Sequence, residues 1–164
     1  MLEICKKWNI SDFVFASTSS VYGLNTPPFS EDFQTNTPLS PYAASKASCE
    51  LLCHTYSHLY DINVKILRFF TVYGSWGRPD MALFLFTKAI LEGKPITIFN
   101  HGKMFRDFTH VSDIVQGIIG ALKLSADFEI INLGSGKTVK LGRYIELLES
   151  CLGLEAKKVY ESYI

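Results

Sequence analysis

The sequence carries no excess of either charge: 16 Lys and Arg face 16 Asp and Glu, for a formal net charge of 0. Without a basic stripe there is no electrostatic footprint for nucleic acid, and without an acidic run there is no solvating tail. No apolar run is long enough to cross a bilayer. The opening MLEICKKWNISDF lacks the basic-then-apolar layout of a secretory leader. Cysteine is scarce, at Cys5, Cys49, Cys53 and Cys151, and the spacing fits no zinc pattern. Cys49, Cys53, His54 and His58 crowd one predicted helix, but a helix brings together only neighbours three or four apart. Structural thiols and imidazoles are therefore expected there, and no metal. These absences point to a cytoplasmic chain with reduced thiols. No internal repeat and no low-complexity segment is visible.

What is present is apolar and aromatic. Hydrophobic residues make up 48% of the 164 positions, with 12 Phe and 8 Tyr, enough to build a core and to exclude disorder. Helix and strand patterns alternate. Helical segments are expected at Leu2 to Trp8, Tyr42 to Tyr60, Met81 to Leu91, Val111 to Leu124 and Leu141 to Leu152. Strands are expected at Asp12 to Ser17, Val64 to Phe69, Ile96 to Phe99 and Ile130 to Leu133. Leu24 to Pro41 holds four of the six prolines and reads as a long loop. The strands look apolar on both faces, the pattern of a parallel sheet covered by helices. The fold class is thus α/β.

In such sheets ligands sit beyond the carboxyl ends of the strands. The first predicted strand ends in the alcohols Ser17, Thr18, Ser19 and Ser20. A buried hydroxyl without a partner is costly, so the cluster is wet, a turn, or built to hold something polar. The helix opening PYAASK puts Tyr42 and Lys46 one turn apart. An ammonium there stabilises the phenolate and lets the tyrosine act as a base nearer neutral pH. Alone, this pairing is also that of a surface lysine beside a half-buried tyrosine.

The order STSSVYG, proline loop, SPYAASKASCE, VKILRFFTVYG, WGRPDMALF, RDFTHVSDI and INLGSG resembles the extended short-chain dehydrogenase/reductase family. Its members are NAD-dependent epimerases and dehydratases of nucleotide sugars, and the pattern looks like that of UDP-glucuronate 4-epimerases. The resemblance runs from residue 1 to about 155. It implies a Rossmann-type doubly wound parallel sheet plus part of the substrate-binding region. Residues 1–75 would be the remaining half of the cofactor sheet, and 76–164 mostly the substrate region. Tyr42 would exchange the proton of the sugar 4-hydroxyl, Lys46 would hold the nicotinamide ribose, and Thr18 would bond the same sugar hydroxyl. The backbone near Phe70 would contact the nicotinamide of NAD. Ser19 and Ser20 stand where dehydratases and decarboxylases of the family carry carboxylates, and with Thr18 and Thr71 they would donate to a sugar carboxylate. Arg78 and Arg106 would bind the UDP-sugar, Arg106 at the diphosphate. A homodimer through the helix from Tyr42 to Tyr60 is implied as well.

The resemblance also marks a departure. The family's opening strand, its G-x-x-G-x-x-G turn and the following helix cradle the dinucleotide phosphates. No such turn is present, and GSGKT at Gly134 to Thr138 lacks the spacing of a phosphate loop. The chain is therefore expected to hold a partial sheet lacking its N-terminal βαβ units. It would bind NAD weakly alone, as a truncated remnant, a misassigned start, or one half completed by another chain. An inactive pseudo-enzyme or UDP-sugar-binding fragment, a UDP-glucose 4-epimerase and a nucleotide-sugar reductase are the alternative readings.

Overall fold

A computed structural model describes residues 1–162. In chain order the elements are α1 (Leu2–Lys7), β1 (Asp12–Thr18), a 3-10 turn (Ser19–Tyr22), α2 (Pro41–Tyr60), β2 (Asn63–Phe69), β3 (Thr71–Tyr73), α3 (Ala82–Leu91) and β4 (Pro95–Phe99). They continue with β5 (Phe105–His110), α4 (Val111–Lys123), β6 (Phe128–Leu133), β7 (Thr138–Lys140), α5 (Leu141–Leu152) and β8 (Lys157–Glu161). Two compact units interleave along the chain: Met1–Val72 with Thr109–Gly134, and Tyr73–Phe108 with Ser135–Ile164. The chain leaves the first unit after Val72 and returns to it at Thr109.

The first unit is built on three parallel strands in the order β1-β2-β6, which is the expected α/β arrangement. Side chains alternate across a strand, so register decides which layer each residue joins. Phe13 and Phe15 pair with Val64 and Ile66, and with Phe128 and Ile130 they face a core holding Cys5 of α1 and Cys53 of α2. α2 begins where the sequence caps it. The Ser40 hydroxyl accepts from the Ala43 amide at 3.1 Å, and Pro41 fills the first helical position, where its missing N–H costs nothing. α1 is fastened to α2 by Glu3 accepting from the Tyr56 hydroxyl and by the Lys6 ammonium 4.1 Å from the centre of the Tyr60 ring. α4 packs on β1 and β2 from the opposite face. Gly117 admits Leu133 there: a Cβ at that position would lie 2.8 Å from the leucine methyls.

β2 corrects one expectation. It is buried from Val64 to Arg68, yet Lys65 and Arg68 are each only 2% exposed, so its faces are not both apolar. Lys65 reaches the Asp12 carboxylate at 3.2 Å. Arg68 is answered by the network described below. β1 has β2 on one side and no partner strand on the other among the described residues.

The second unit centres on Ile90, Ile96, Ile98, Leu141 and Ile145, contributed by α3, β4 and α5. β4 pairs in parallel with β8, and β5 pairs antiparallel with β7. β3, β5, β7 and β8 lie outside the expected strands; each is short, with three to six residues.

Two outcomes follow from these contacts. Gly23 has φ 54°, and a Cβ there would meet the Thr37 carbonyl oxygen at 2.0 Å. Gly93 has φ 64° with nothing within 4 Å. Gly93→Ala should cost only the left-handed backbone penalty of about 1–2 kcal/mol. Gly23→Ala should cost clearly more, because backbone and not a flexible side chain blocks it. Urea midpoints of the two variants decide this, and equal losses would refute the steric argument. Burial, helped by Cys49 and Glu50, pushes the Cys53 thiol up to about 12. The fold favours the neutral thiol, so its contribution is full below the ordinary value of 9.0 and fades as pH rises from there toward 12. Native alkylation at pH 9, followed by mass spectrometry, should modify exposed Cys151 first and Cys53 last.

Candidate active site

The hydroxyl run sits at the carboxyl end of β1, where the chain leaves the sheet. Ser17 and Thr18 are buried, Ser19 is half-buried and Ser20 is exposed. The cluster is partly its own turn. Thr18 caps the 3-10 turn, its Oγ1 accepting from the Ser20 amide at 3.2 Å and lying 3.2 Å from the Ser20 hydroxyl. Phe70 and Thr71 lie just beyond the same end of β2 and are half-buried, with the Phe70 amide donating to the Leu133 carbonyl at 3.2 Å.

Tyr42 and Lys46 occupy the first two turns of α2. The Tyr42 side chain is 55% exposed, so its phenol is open to a ligand. The Lys46 Nζ donates to the Ala16 carbonyl at 2.9 Å and lies 5.0 Å from the Phe15 ring centre and 6.0 Å from that of Tyr42. The ammonium therefore spans from α2 to the strand residue two before Thr18. Tyrosine, lysine and threonine all belong to the first unit, which presents them from α2 and the end of β1.

Behind these groups lies a buried polar network. Arg68 points its fork at Glu50 of α2, with Nε to Oε1 at 3.1 Å and Nη2 to Oε2 at 2.7 Å. Its Nη1 donates to the Tyr22 hydroxyl at 3.1 Å and to the Glu31 carbonyl at 3.2 Å. Tyr22 passes its own proton to Asn132 Oδ1 at 2.7 Å, and burial pushes the phenol up, keeping it a donor. Ser17 donates its hydroxyl to Glu50. The Asn132 amide donates to Glu31 Oε1 at 2.8 Å and its side chain to the Phe29 carbonyl at 3.2 Å, which ties the proline loop to β6.

A family model described as "NAD dependent epimerase/dehydratase family" matches residues 1–134. The chain belongs to that family. A UDP-glucuronate 4-epimerase of Thermodesulfobacterium geofontis is 49% identical over 164 residues, covering 99% of this chain and 50% of the relative. The crystal structure of UDP-glucuronic acid 4-epimerase from Bacillus cereus, in complex with UDP-glucuronic acid and NAD, superposes with a TM-score of 0.92 at 41% identity. That match covers 99% of this chain and 52% of the other. A UDP-glucose 4-epimerase of Thermotoga maritima, solved with UDP-glucose, matches with a TM-score of 0.88 at 28% identity. The chain spans about half the length of these relatives.

Within this epimerase/dehydratase chain, the two remaining candidates lie in the second unit. Arg78 forks onto Asp80, with Nε to Oδ1 at 3.0 Å, and holds that carboxyl below its usual range. Both groups are exposed, so water and ligands compete for the pair. Arg106 is exposed and donates to its neighbour, the Phe105 carbonyl, at 2.9 Å. The glycine turn of GSGKT is occupied from within. The Ser135 and Gly136 amides each donate to the Asp107 carboxylate at 2.8 Å, so an internal anion sits where a phosphate would need to be. Among the described residues no group of three or more His, Cys, Asp or Glu gathers as a metal site, and His54 stacks edge-on against Phe128 instead. No described helix is long and apolar enough to cross a membrane.

Sequence reasoning passed over Glu50 and Arg68. One signal was available: Tyr42, Lys46 and Glu50 repeat at four-residue steps along one helix stripe, and Arg68 interrupts an apolar run. Removing Arg68 strands a buried carboxylate. Arg68→Ala should therefore cost about 3–5 kcal/mol in urea unfolding, whereas truncating exposed Lys123 should stay within about 0.5 kcal/mol. Similar losses for both would show that the pair is not buried in solution.

Proposed function

We propose that this chain carries the proton-transfer half of a nucleotide-sugar 4-epimerase of the UDP-glucuronate type. The observation that carries the reading is the combined presentation of an exposed Tyr42 and of Lys46 at the start of α2, with the Lys46 ammonium reaching the Ala16 carbonyl two residues before Thr18. Tyr42 takes the proton from the sugar 4-hydroxyl and later returns it. The Lys46 ammonium stabilises the phenolate that forms, and the Thr18 hydroxyl orients the same sugar oxygen. NAD, when bound, would supply the hydride exchange that these side chains cannot perform. Lys46 and the Phe70 backbone fit its nicotinamide-ribose end. The sequence provides no glycine-rich turn for the phosphates, and the one glycine turn that resembles it already holds Asp107. Ser19, Ser20 and Thr71 hold the sugar carboxylate by neutral donors. In the second unit, taken by itself, Arg78 and Arg106 are exposed cations suited to a diphosphate. A cytoplasmic setting suits a nucleotide-sugar substrate.

Assembly follows the same reading. α2 exposes Leu51, Leu52 and Leu59, the face a second copy would cover, and the edge of β1 that no strand pairs among the described residues is where a complementing segment would add a strand. A chain that binds UDP-sugars without turnover is the second reading, favoured by Asp107 filling the glycine turn at 134–138.

The test is calorimetric titration of the chain with UDP-glucuronate, UDP-glucose and NAD, followed by turnover with all ligands saturating. UDP-glucuronate should bind tighter than UDP-glucose, NAD weakly, and Tyr42→Phe should lower any turnover by roughly 10²–10⁴-fold while leaving sugar-nucleotide binding in place. Equal affinity for both sugars would favour the UDP-glucose 4-epimerase reading. Unchanged turnover in Tyr42→Phe would sink the assignment of the base.

A further inference from the structure

The buried pair of Glu50 and Arg68 does more than fill the layer between α2 and the sheet. Tyr42, Lys46 and Glu50 stand at four-residue steps on α2, about 6 Å apart along its axis. The two strand residues before Thr18 are each fastened to that stripe: the Ala16 carbonyl to Lys46 at 2.9 Å, and the Ser17 hydroxyl to Glu50. Glu50 is 5% exposed and Arg68 2%, so neither exchanges its partners for water. Arg68 fixes the orientation of the Glu50 carboxylate by holding both of its oxygens. Its remaining donors go to Tyr22, in the turn that Thr18 caps, and to Glu31 of the proline loop. Ser17 before Thr18 and Tyr22 after it are thereby referred to one ion pair.

We propose that Glu50, oriented by Arg68, is a positioning residue that sets Tyr42 and Lys46 on α2 against Thr18 on β1. The inference rests on reading those three as the reacting groups, but what it asserts is geometric. Glu50 touches no substrate. It acts through Ser17 and through the register of α2 on the strand, which also decides whether the Lys46 ammonium can reach the Ala16 carbonyl.

The experiment measures Lys46 directly. Purified chain is pulse-labelled with an amine-reactive acylating reagent, and modification of each lysine is read by mass spectrometry. Lys65, buried on the central strand against Asp12, reports general loosening of the same sheet. In the double variant Glu50→Met with Arg68→Met, an apolar pair replaces the ions, and no charge is left unanswered. The thermal midpoint should stay within a few degrees of the parent, Lys65 should stay protected, and Lys46 labelling should rise at least threefold. Ser17→Ala, which keeps the ion pair and removes one fastener, should raise Lys46 labelling about twofold, so a double variant that fails to fold still leaves a decisive measurement. Unchanged Lys46 labelling in a folded variant, or Lys46 and Lys65 rising together, overturns the proposal and makes the pair merely structural. Turnover is not part of the readout, so failure of the epimerase reading shows in the titrations and not here.

Discussion

A guanidinium inside a helix-covered sheet is tolerable only if its donors are answered, because desolvation of the charge otherwise exceeds any packing gain. At Arg68 that constraint organises the whole first unit. Two answers come from Glu50 on α2, one from Tyr22 in the turn after β1, and one from the proline loop at Glu31. Ser17 and Asn132 complete the set from β1 and β6. The elements that meet at this charge are therefore those whose ends carry Thr18, Tyr42 and Lys46. Apolar contacts hold the layers together, but they are non-directional and would tolerate small slips of α2 along the strands. A bidentate ion pair does not tolerate them, since a shift of an ångström or so breaks both bonds to the fork.

The division of labour between burial and exposure follows. Tyr42 lies half in solvent at the first turn of a 20-residue helix whose later turns are anchored in the core by Cys53. An exposed side chain on a flexible loop would give up more conformational entropy on meeting a ligand than one carried by a rigid helix start. The two arginines of the second unit are of the opposite kind. Arg78 is paired with an exposed aspartate, and Arg106 reaches the neighbouring Phe105 carbonyl and, at 3.9 Å, the Met104 sulfur. Such contacts are easily traded for those of an anionic ligand, as a recognition residue requires and a scaffold residue does not.

How much of this was legible from residues alone depended on whether a signal was local. The start of α2 was nearly readable, because Ser40 and Pro41 are a cap and a first-turn proline whatever surrounds them. The central strand was readable from its apolar run, and so was the α/β alternation. Arg68 was not, because a charged residue in an apolar strand means exposure or a buried partner, and the partner is 18 residues away on another element. The short antiparallel pairing of β5 and β7 escaped for a related reason, since the three residues of β7 carry too little alternation to declare a strand. The hydroxyl cluster was read correctly as a question. The structure answers part of it locally, through Thr18 capping its own turn, and leaves Ser20 outward.

The glycine turn at 134–138 shows why geometry must arbitrate between motifs. Its amides are arranged as a small anion cradle, although its spacing is not that of a phosphate loop. The cradle is already satisfied by Asp107, which accepts from both Ser135 and Gly136 and also from the Ser135 hydroxyl at 2.9 Å. Placing a phosphate there would set two anions on the same donors, and the incoming one would lose the hydrogen bonds that make such turns bind. The turn therefore serves the internal order of the second unit, tying the approach to β7 onto β5. A folded chain uses its best anion sites wherever an anion must be buried, and a ligand can use only those that folding leaves open.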